Sequence, residues 1–454
     1  MPEKIADQEY ASHRFEEVQQ ALSSGMFVRV RQLLMDMPAC DVALLLESSP
    51  YKSRQVLWDL VDHDDQGDIL EELSEDVQKS IVRQMQAHQL AAAAESMDTD
   101  DLTEVLRTLP DSIYLQVLGA MDTQDRHRVE AAMAYEEDTA GSIMNTDTVT
   151  LRHDVNLDVV LRYLRLKGEL PEATDMLYVV DSDDLLLGGV TLASLITSNP
   201  MMTVAQIMDR TIEAVPASME ETEVAQQFER HDWLSAPVID PDGKLLGRIT
   251  IDDVVDIIRE EAEHSMMSMA GLDDEEDTFA PVIKSTRKRS VWLGINLLTA
   301  LAAVAVSNMF EPILAQMAIL AILNTLVPSM GGIAGNQTLT LIIRGMALGH
   351  VGHRNKRWLI GKELAIGALN GLIWALILSV VVALWQGDVK LGLVIAFAML
   401  ANMTAAGLSG VLIPLIMKRM KIDPALAGGV VLTTITDVVG IFAFLGTATL
   451  VYGT

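Results

Sequence analysis

The chain has a single cysteine, Cys40, in 454 residues, which excludes an intramolecular disulfide framework and fits a reducing compartment. Its first 30 residues contain no apolar h-region, so no cleaved signal peptide is expected, and the N-terminal half is expected to stay cytoplasmic. Basic charge is scarce, with a formal net charge of −30, and it is unevenly spread. From Arg287 onward 12 Lys/Arg stand against 5 Asp/Glu, a net of +7; the preceding 286 residues hold the other 21 and 58, a net of −37. So sharp a shift marks a domain boundary. The acidic part would repel nucleic-acid phosphates, and it suits either cations or solubility alone. The sequence shows no nucleophile–base pair, P-loop or zinc-ligand cluster, so no enzyme is expected.

Long apolar runs are confined to the C-terminal part, at 291–310, 313–343, 358–385, 389–417 and 424–451. Each reaches the ~20 residues a helix needs to cross a hydrocarbon core. Arg287, Lys288 and Arg289 precede the first run. Arg344, Arg354, Lys356, Arg357 and Lys362 surround the second connection, and Lys418, Arg419 and Lys421 fill the fourth. By the positive-inside rule these regions are cytoplasmic, which puts the N-terminus inside and Thr454 outside.

Three features of these runs ask for more than packing. Asp437 is the only charge after Asp423, and a carboxylate at mid-membrane costs at least ~2.5–3.5 kcal/mol, so it is expected to face water, an ion or a partner. The stretch Pro328-Ser329-Met330-Gly331-Gly332-Ile333-Ala334-Gly335-Asn336-Gln337 is expected to break its helix and free carbonyls, with glycine-mediated close packing as the alternative. Asn402, Thr404 and Ser409, with Thr433, Thr434 and Thr436, supply amides and hydroxyls. These groups are too weak for a bare divalent ion but can bond the water shell of hydrated Mg2+, which dehydrates reluctantly. One such acid per chain makes a homodimer, with two aspartates facing each other, the expected assembly.

The cytoplasmic half begins with a repeat of twelve over residues 34–122: apolar-x-x-apolar followed by Pro, Ser, Asp or a similar residue. Examples are Leu34/Met37/Pro38, Leu70/Leu73/Ser74 and Leu106/Leu109/Pro110. Twelve residues hold about two helical turns and a connection, so the units must stack into a small solenoid. Its acids Asp98, Asp100 and Asp101 suit helix caps as well as ligands. A second duplication follows. Val179-Val180-Asp181…Gly188-Gly189-Val190-Thr191-Leu192 recurs 59 positions later as Val238-Ile239-Asp240…Gly247-Arg248-Ile249-Thr250-Ile251. Pro241-Asp242-Gly243 is a turn signal between strands. This pattern resembles a tandem pair of CBS domains. The resemblance implies that Thr250 and Asp253 hold a nucleotide ribose, with ATP the candidate; Ser194 replaces the Asp in the first copy, so one site per chain is expected. An empty pair acting as scaffold and dimer interface is the other reading.

Asp253, Asp256, Glu260 and Glu263 then share one face of a long helix, and residues 273–277 form a run of five acids before the first span. The stripe is either a solvated face or a cation site at the mouth of a pore.

Taken together, the chain resembles the MgtE-type magnesium channel family over essentially its whole length. The resemblance rests on Asn336-Gln337-x-x-Thr340-Leu341-Ile342-Ile343-Arg344, Asp423-Pro424-Ala425-Leu426, Thr436-Asp437-Val438-x-Gly440 and the acidic Glu260-Glu261-Ala262-Glu263. It implies an all-α solenoid N domain (1–139), α+β tandem CBS domains (140–204 and 205–258), a connecting plug helix (259–289) and an all-α five-helix transmembrane domain (290–454). It further implies a homodimer in the bacterial inner membrane, with Mg2+ both transported and regulatory. Asp437 would coordinate the ion through water, with Asn336, Gln337, Asn402, Thr433, Thr436 and Gly440 along the pore. Asp98, Asp100, Asp253, Asp256, Glu260, Glu261 and Glu263 would hold the gating ions. This sequence departs from the family pattern at Ile333, where an amide is expected, at Gly429, where a pore-side Asn is expected, and at His264, where an acid is common. The alternative is a CBS-regulated secondary transporter coupled to protons or sodium through Asp437, Lys362 and Glu363; the five runs show no inverted repeat, which such transporters often carry.

Overall fold

The computed structural model describes residues 2–452 apart from 95, 96, 98, 122, 169, 172, 273–276, 348, 349 and 352–354. The chain divides into two units, Met1–Glu261 with Glu275–Pro281, and Ala262–Asp274 with Val282–Thr454.

The first unit opens with short helices in strict phase. After Pro2–Ser23 they start at Phe27, Ala39, Tyr51, His63, Glu75, Ala87, Thr99, Asp111 and Thr123, a spacing of twelve throughout. Pro38, Pro50, Asp62, Ser74 and Pro110 are the N-caps of five of these helices. Proline there has φ near −60° and no N–H to leave unpaired, so Pro38, Pro50 and Pro110 favour a helix start at the next residue. The paired apolar positions, such as Leu34/Met37, Leu70/Leu73 and Leu106/Leu109, fall in one continuous core.

Two three-stranded sheets follow: β1 (Thr150–Arg152), β2 (Met176–Val180) and β3 (Leu186–Thr191), then β4 (Val215–Pro216), β5 (Ser235–Ile239) and β6 (Leu245–Thr250). Each has a parallel first pair and an antiparallel second pair. The duplication extends to register: Val179 faces Gly188 and Val238 faces Gly247, with an irregularity at the next residue in both sheets. Gly243 takes φ +85° in the second turn, a conformation costly for other residues. A connecting helix, Ile251–Met269, leaves β6 directly.

The second unit contains five helices, among the described residues, long and apolar enough to cross a membrane: span 1 Val282–Asn308, span 2 Ala318–Ala347, span 3 Lys356–Gln386, span 4 Val389–Arg419 and span 5 Pro424–Tyr452. Span 1 starts earlier than its apolar run, because its basic first turns continue the helix beyond the apolar segment. The expected break at Pro328–Gln337 does not occur. Leu326–Ala347 is one helix, and Pro328 sits in its first turn, where a missing N–H is tolerated. The interruptions come earlier, at Met317 and at Asn324–Thr325. The glycines serve close packing instead. A Cβ on Gly335 would lie 2.9 Å from Leu432 of span 5, and one on Gly410 of span 4 would lie 2.9 Å from the Gly335 carbonyl. Small residues let membrane helices approach in this way, where no hydrophobic effect drives them together.

Candidate functional site: an acidic cavity and a membrane carboxylate

The first unit encloses an acidic cavity of about 440 Å³. Helix Thr99–Arg107 brings Asp100, Asp101 and Glu104 to its wall, and the connecting helix brings Asp253, Asp256 and Glu260. Glu104 still reaches water inside the cavity. Desolvation, then the charges of Glu260 and Glu75, push its carboxyl up to about 7. Glu221, on the same wall, is pushed up to about 7 by burial and by Asp138, Glu260 and Glu261. Carboxylates crowded this way hold protons unless a cation offsets the repulsion. Lys79, Arg107 and Arg259 also line the cavity, and Arg259 pairs with Asp256 at 3.2 Å. Among the described residues no three His, Cys, Asp or Glu side chains converge as a ready-made metal cage. The cavity therefore suits hydrated cations spread over several carboxylates.

Of the residues expected to bind gating ions, Asp100, Asp253, Asp256 and Glu260 meet around this cavity. Glu261 and Glu263 are exposed and do not line it. Asp98 and residues 273–276 lie outside the described residues. Glu104 was not among the expected ligands, yet its carboxyl, like that of Glu221, is pushed up to about 7; its i+4 spacing from Asp100 places both on one helix face and is the signal that marks it.

Thr250 and Asp253 engage each other. The Asp253 Oδ2 accepts from the Thr250 backbone N–H at 3.0 Å and from its hydroxyl at 2.9 Å. This is half of a capping box at the start of the connecting helix. Thr191 and Ser194 make a similar pair in the first copy, with the Ser194 N–H donating to Thr191 Oγ1 at 3.1 Å. Asp253 belongs both to the nucleotide motif and to the cavity wall.

In the second unit Asp437 lies on span 5, partly exposed, and makes no hydrogen bond or ion pair to any described residue. The neighbouring hydroxyls turn to their own helix: Thr433 donates to the Gly429 carbonyl at 2.9 Å and Thr436 to the Thr433 carbonyl at 3.0 Å. Thr433 is exposed and Thr436 fully buried. Asn336 and Gln337 are exposed on span 2, Ile333 is 56% exposed, and the space beside Gly429 is open.

Asn402 sits elsewhere. It is 0% exposed and donates from Nδ2 to the Val327 carbonyl at 2.8 Å, linking span 4 to span 2. A Cβ on Gly331 would come within 2.2 Å of that nitrogen, and one on Gly440 within 2.9 Å. Asn402 and Gly440 are thus parts of one helix junction, in which Gly440 makes room for the amide. Glu363, 3% exposed, accepts from Thr338 Oγ1 at 3.2 Å and pairs with Lys362 at 3.1 Å.

Comparison with known proteins agrees with this architecture. Residues 324–447 match a divalent cation transporter family, 37–138 an MgtE intracellular N domain and 204–260 a CBS domain. A magnesium transporter MgtE of Thermus thermophilus is 30% identical over 95% of this chain and 97% of its own length. A magnesium transporter MgtE of Bacillus subtilis is 28% identical over 94% of this chain and 95% of its own. Among solved structures, the cytosolic domain of a Mg2+ channel MgtE in complex with ATP superposes with a TM-score of 0.50 at 29% identity, covering 54% of this chain and 99% of that one.

Proposed function

The chain belongs to the MgtE family of magnesium transporters, and from that premise we propose that it is a Mg2+-selective channel closed by cytoplasmic Mg2+ at its acidic cavity. It is a multi-pass membrane protein with a cytosolic N-terminal domain, not an enzyme. The reading of the pore is carried by Asp437, a carboxylate on an apolar helix with no partner among the described residues. Its insertion cost of at least ~2.5–3.5 kcal/mol is offset if it faces a hydrated cation. Two copies related by a two-fold axis supply two such groups, and ordered water between them would carry the contact to Mg2+. In support, no residue of span 1 is buried within the chain, so this helix has a full face for lipid or a second copy. The C-terminus then lies outside the cell and the cytosolic domains inside.

Gating follows from the cavity. Carboxylates from helix Thr99–Arg107 and from the connecting helix repel each other when ionised, and Mg2+ between them reverses the sign of that interaction. Low cytoplasmic Mg2+ would release the connecting helix and open the path. The shift is bounded by the differential affinity of Mg2+ for the two states. ATP would bind at the second CBS copy, its ribose replacing the bond that Thr250 now makes to Asp253.

The test is Mg2+ uptake into liposomes carrying the purified protein. Asp437→Ala should abolish flux while folding and dimerisation survive; undiminished flux would sink the pore assignment. Coupled transport is the second reading, and it makes uptake depend on a proton or sodium gradient. The pairing of Glu363 with Lys362 and Thr338 counts against it, since an ion-paired carboxylate is a poor carrier of transported protons.

A further inference from the structure

We propose that Arg54 and Asp277 form a tether by which the helical N domain acts on span 1, a route to the membrane separate from the connecting helix. The proposal rests on the gating reading above and adds a second mechanical link to it.

Arg54 lies on helix Tyr51–Trp58, and its side chain is 1% exposed. Its Nε donates to the Leu46 carbonyl at 2.9 Å, and Nη2 reaches the carbonyls of Glu47 and Ser49 at 3.4 and 3.3 Å. These lie at the C-terminal end of helix Ala39–Glu47, where carbonyls lack helical partners and a cation is favoured. Had this been its only task, Arg54 would need no carboxylate. Yet Nη1 pairs at 2.9 Å with Asp277 Oδ2, 223 residues further along, and Asp277 is itself only 12% exposed.

Asp277 belongs to the segment Glu275–Pro281 that groups with the first unit, and span 1 begins five residues later at Val282. Its other oxygen accepts from the Phe279 N–H at 2.8 Å, and its carbonyl accepts from the Ala280 N–H at 3.0 Å. One side chain thus shapes the turn into span 1 while its charge is held inside the N domain. Buried charges separate only at high cost, because each would be left desolvated without a partner. A movement of the N domain must therefore carry the turn with it or break the pair. The pair is made in the same conformation that gathers Asp100, Glu104, Asp256 and Glu260 around one cavity. If the pair breaks when the cavity opens, linkage makes the tether favour the cavity-closed state.

The experiment uses the full-length protein in liposomes, with flux followed against internal Mg2+. Asp277→Ala should raise the Mg2+ concentration for half-closure about tenfold, equivalent to 1.4 kcal/mol of coupling. Flux at vanishing internal Mg2+ and the preference for Mg2+ over Ca2+ should not change. Asp277→Asn, whose single amide oxygen can accept from Phe279 but leaves an NH2 facing Arg54, keeps the turn and loses the ion pair, and should give a smaller shift in the same direction. A melting temperature equal to wild type keeps misfolding out of the comparison, and Asp277→Asn stands in if Asp277→Ala does not fold. A half-closing concentration within twofold of wild type for the folded variant overturns the tether. Wild-type flux indifferent to internal Mg2+ would instead overturn the gating reading on which it rests.

Discussion

His264 Nε2 stands 3.1 Å from Asp423 Oδ2, so the connecting helix touches the carboxylate that caps span 5. The same Asp423 accepts from the backbone N–H groups of Ala425 at 3.0 Å and Leu426 at 3.1 Å. Asp437 lies 14 residues on, about 21 Å along the helix at 1.5 Å per residue. The one imidazole in an acidic stretch thus falls where a carboxylate would have met Asp423 with like charge.

From this contact, His264→Ala should raise the Mg2+ needed for half-closure by roughly two- to tenfold, the worth of one hydrogen bond of about 0.5–1.5 kcal/mol. His264→Glu should raise it further, since repulsion is added to the lost bond. Flux titrations in liposomes decide the matter; coincident curves for all three proteins would remove any role for the contact in closure.

Asp437→Asn separates charge from shape. The amide keeps the size of the carboxylate but loses its attraction for a divalent ion, so uptake should fall to the background of protein-free liposomes. Asp437→Glu, with charge restored on a longer side chain, should recover part of the flux. Recovery by the amide as complete as by the acid would mean that charge at this place is dispensable.

The carboxyl of Glu104, pushed up to about 7, makes cation binding pH-dependent. A proton and Mg2+ compete for it, so Mg2+ affinity at the cavity should rise as pH climbs through about 7 and level off above. For folding the sign is opposite. The folded protein holds this proton more tightly than the unfolded chain, so without Mg2+ the Glu104 contribution to stability declines between about 4.5 and 7. Glu104→Gln should flatten both dependences, read by Mg2+ titration of protease protection and by thermal melts at pH 5 and 8.

At the junction of spans 2, 4 and 5, space counts for more than the hydrogen bond. Asn402→Ala gives up an interhelical bond worth about 0.6 kcal/mol in membranes and should be mild. Gly331→Ala drives a methyl to within 2.2 Å of the Asn402 amide and should cost about 1–3 kcal/mol of overpacking. Melting in detergent should rank the two in that order, and Gly331→Ala with Asn402→Ala should recover most of the loss.

Much of this molecule is written in local chemistry. Helix starts recur every twelve residues, three of them behind a proline whose fixed φ acts within one turn, whatever the chain does elsewhere. The 59-residue duplication reappears as matching strand registers because pleat and turn are also set by neighbours. The five spans follow from run length alone, and the motif around Asp437 was visible in the sequence as an acid without local company. The sequence pattern misled at Pro328, where propensity suggested a break: a helix ends only where backbone partners are lost, and a proline in the first turn loses none. What the linear order could not disclose is which polar groups meet. Asn402 looks like a pore amide but is sealed between glycines, Glu104 is an exposed acid yet is crowded by Glu260 and Glu75, and Arg54 finds Asp277 across 223 residues. Desolvation and charge act through space, so only the packed chain decides whether a carboxylate meets a proton, a cation or an arginine.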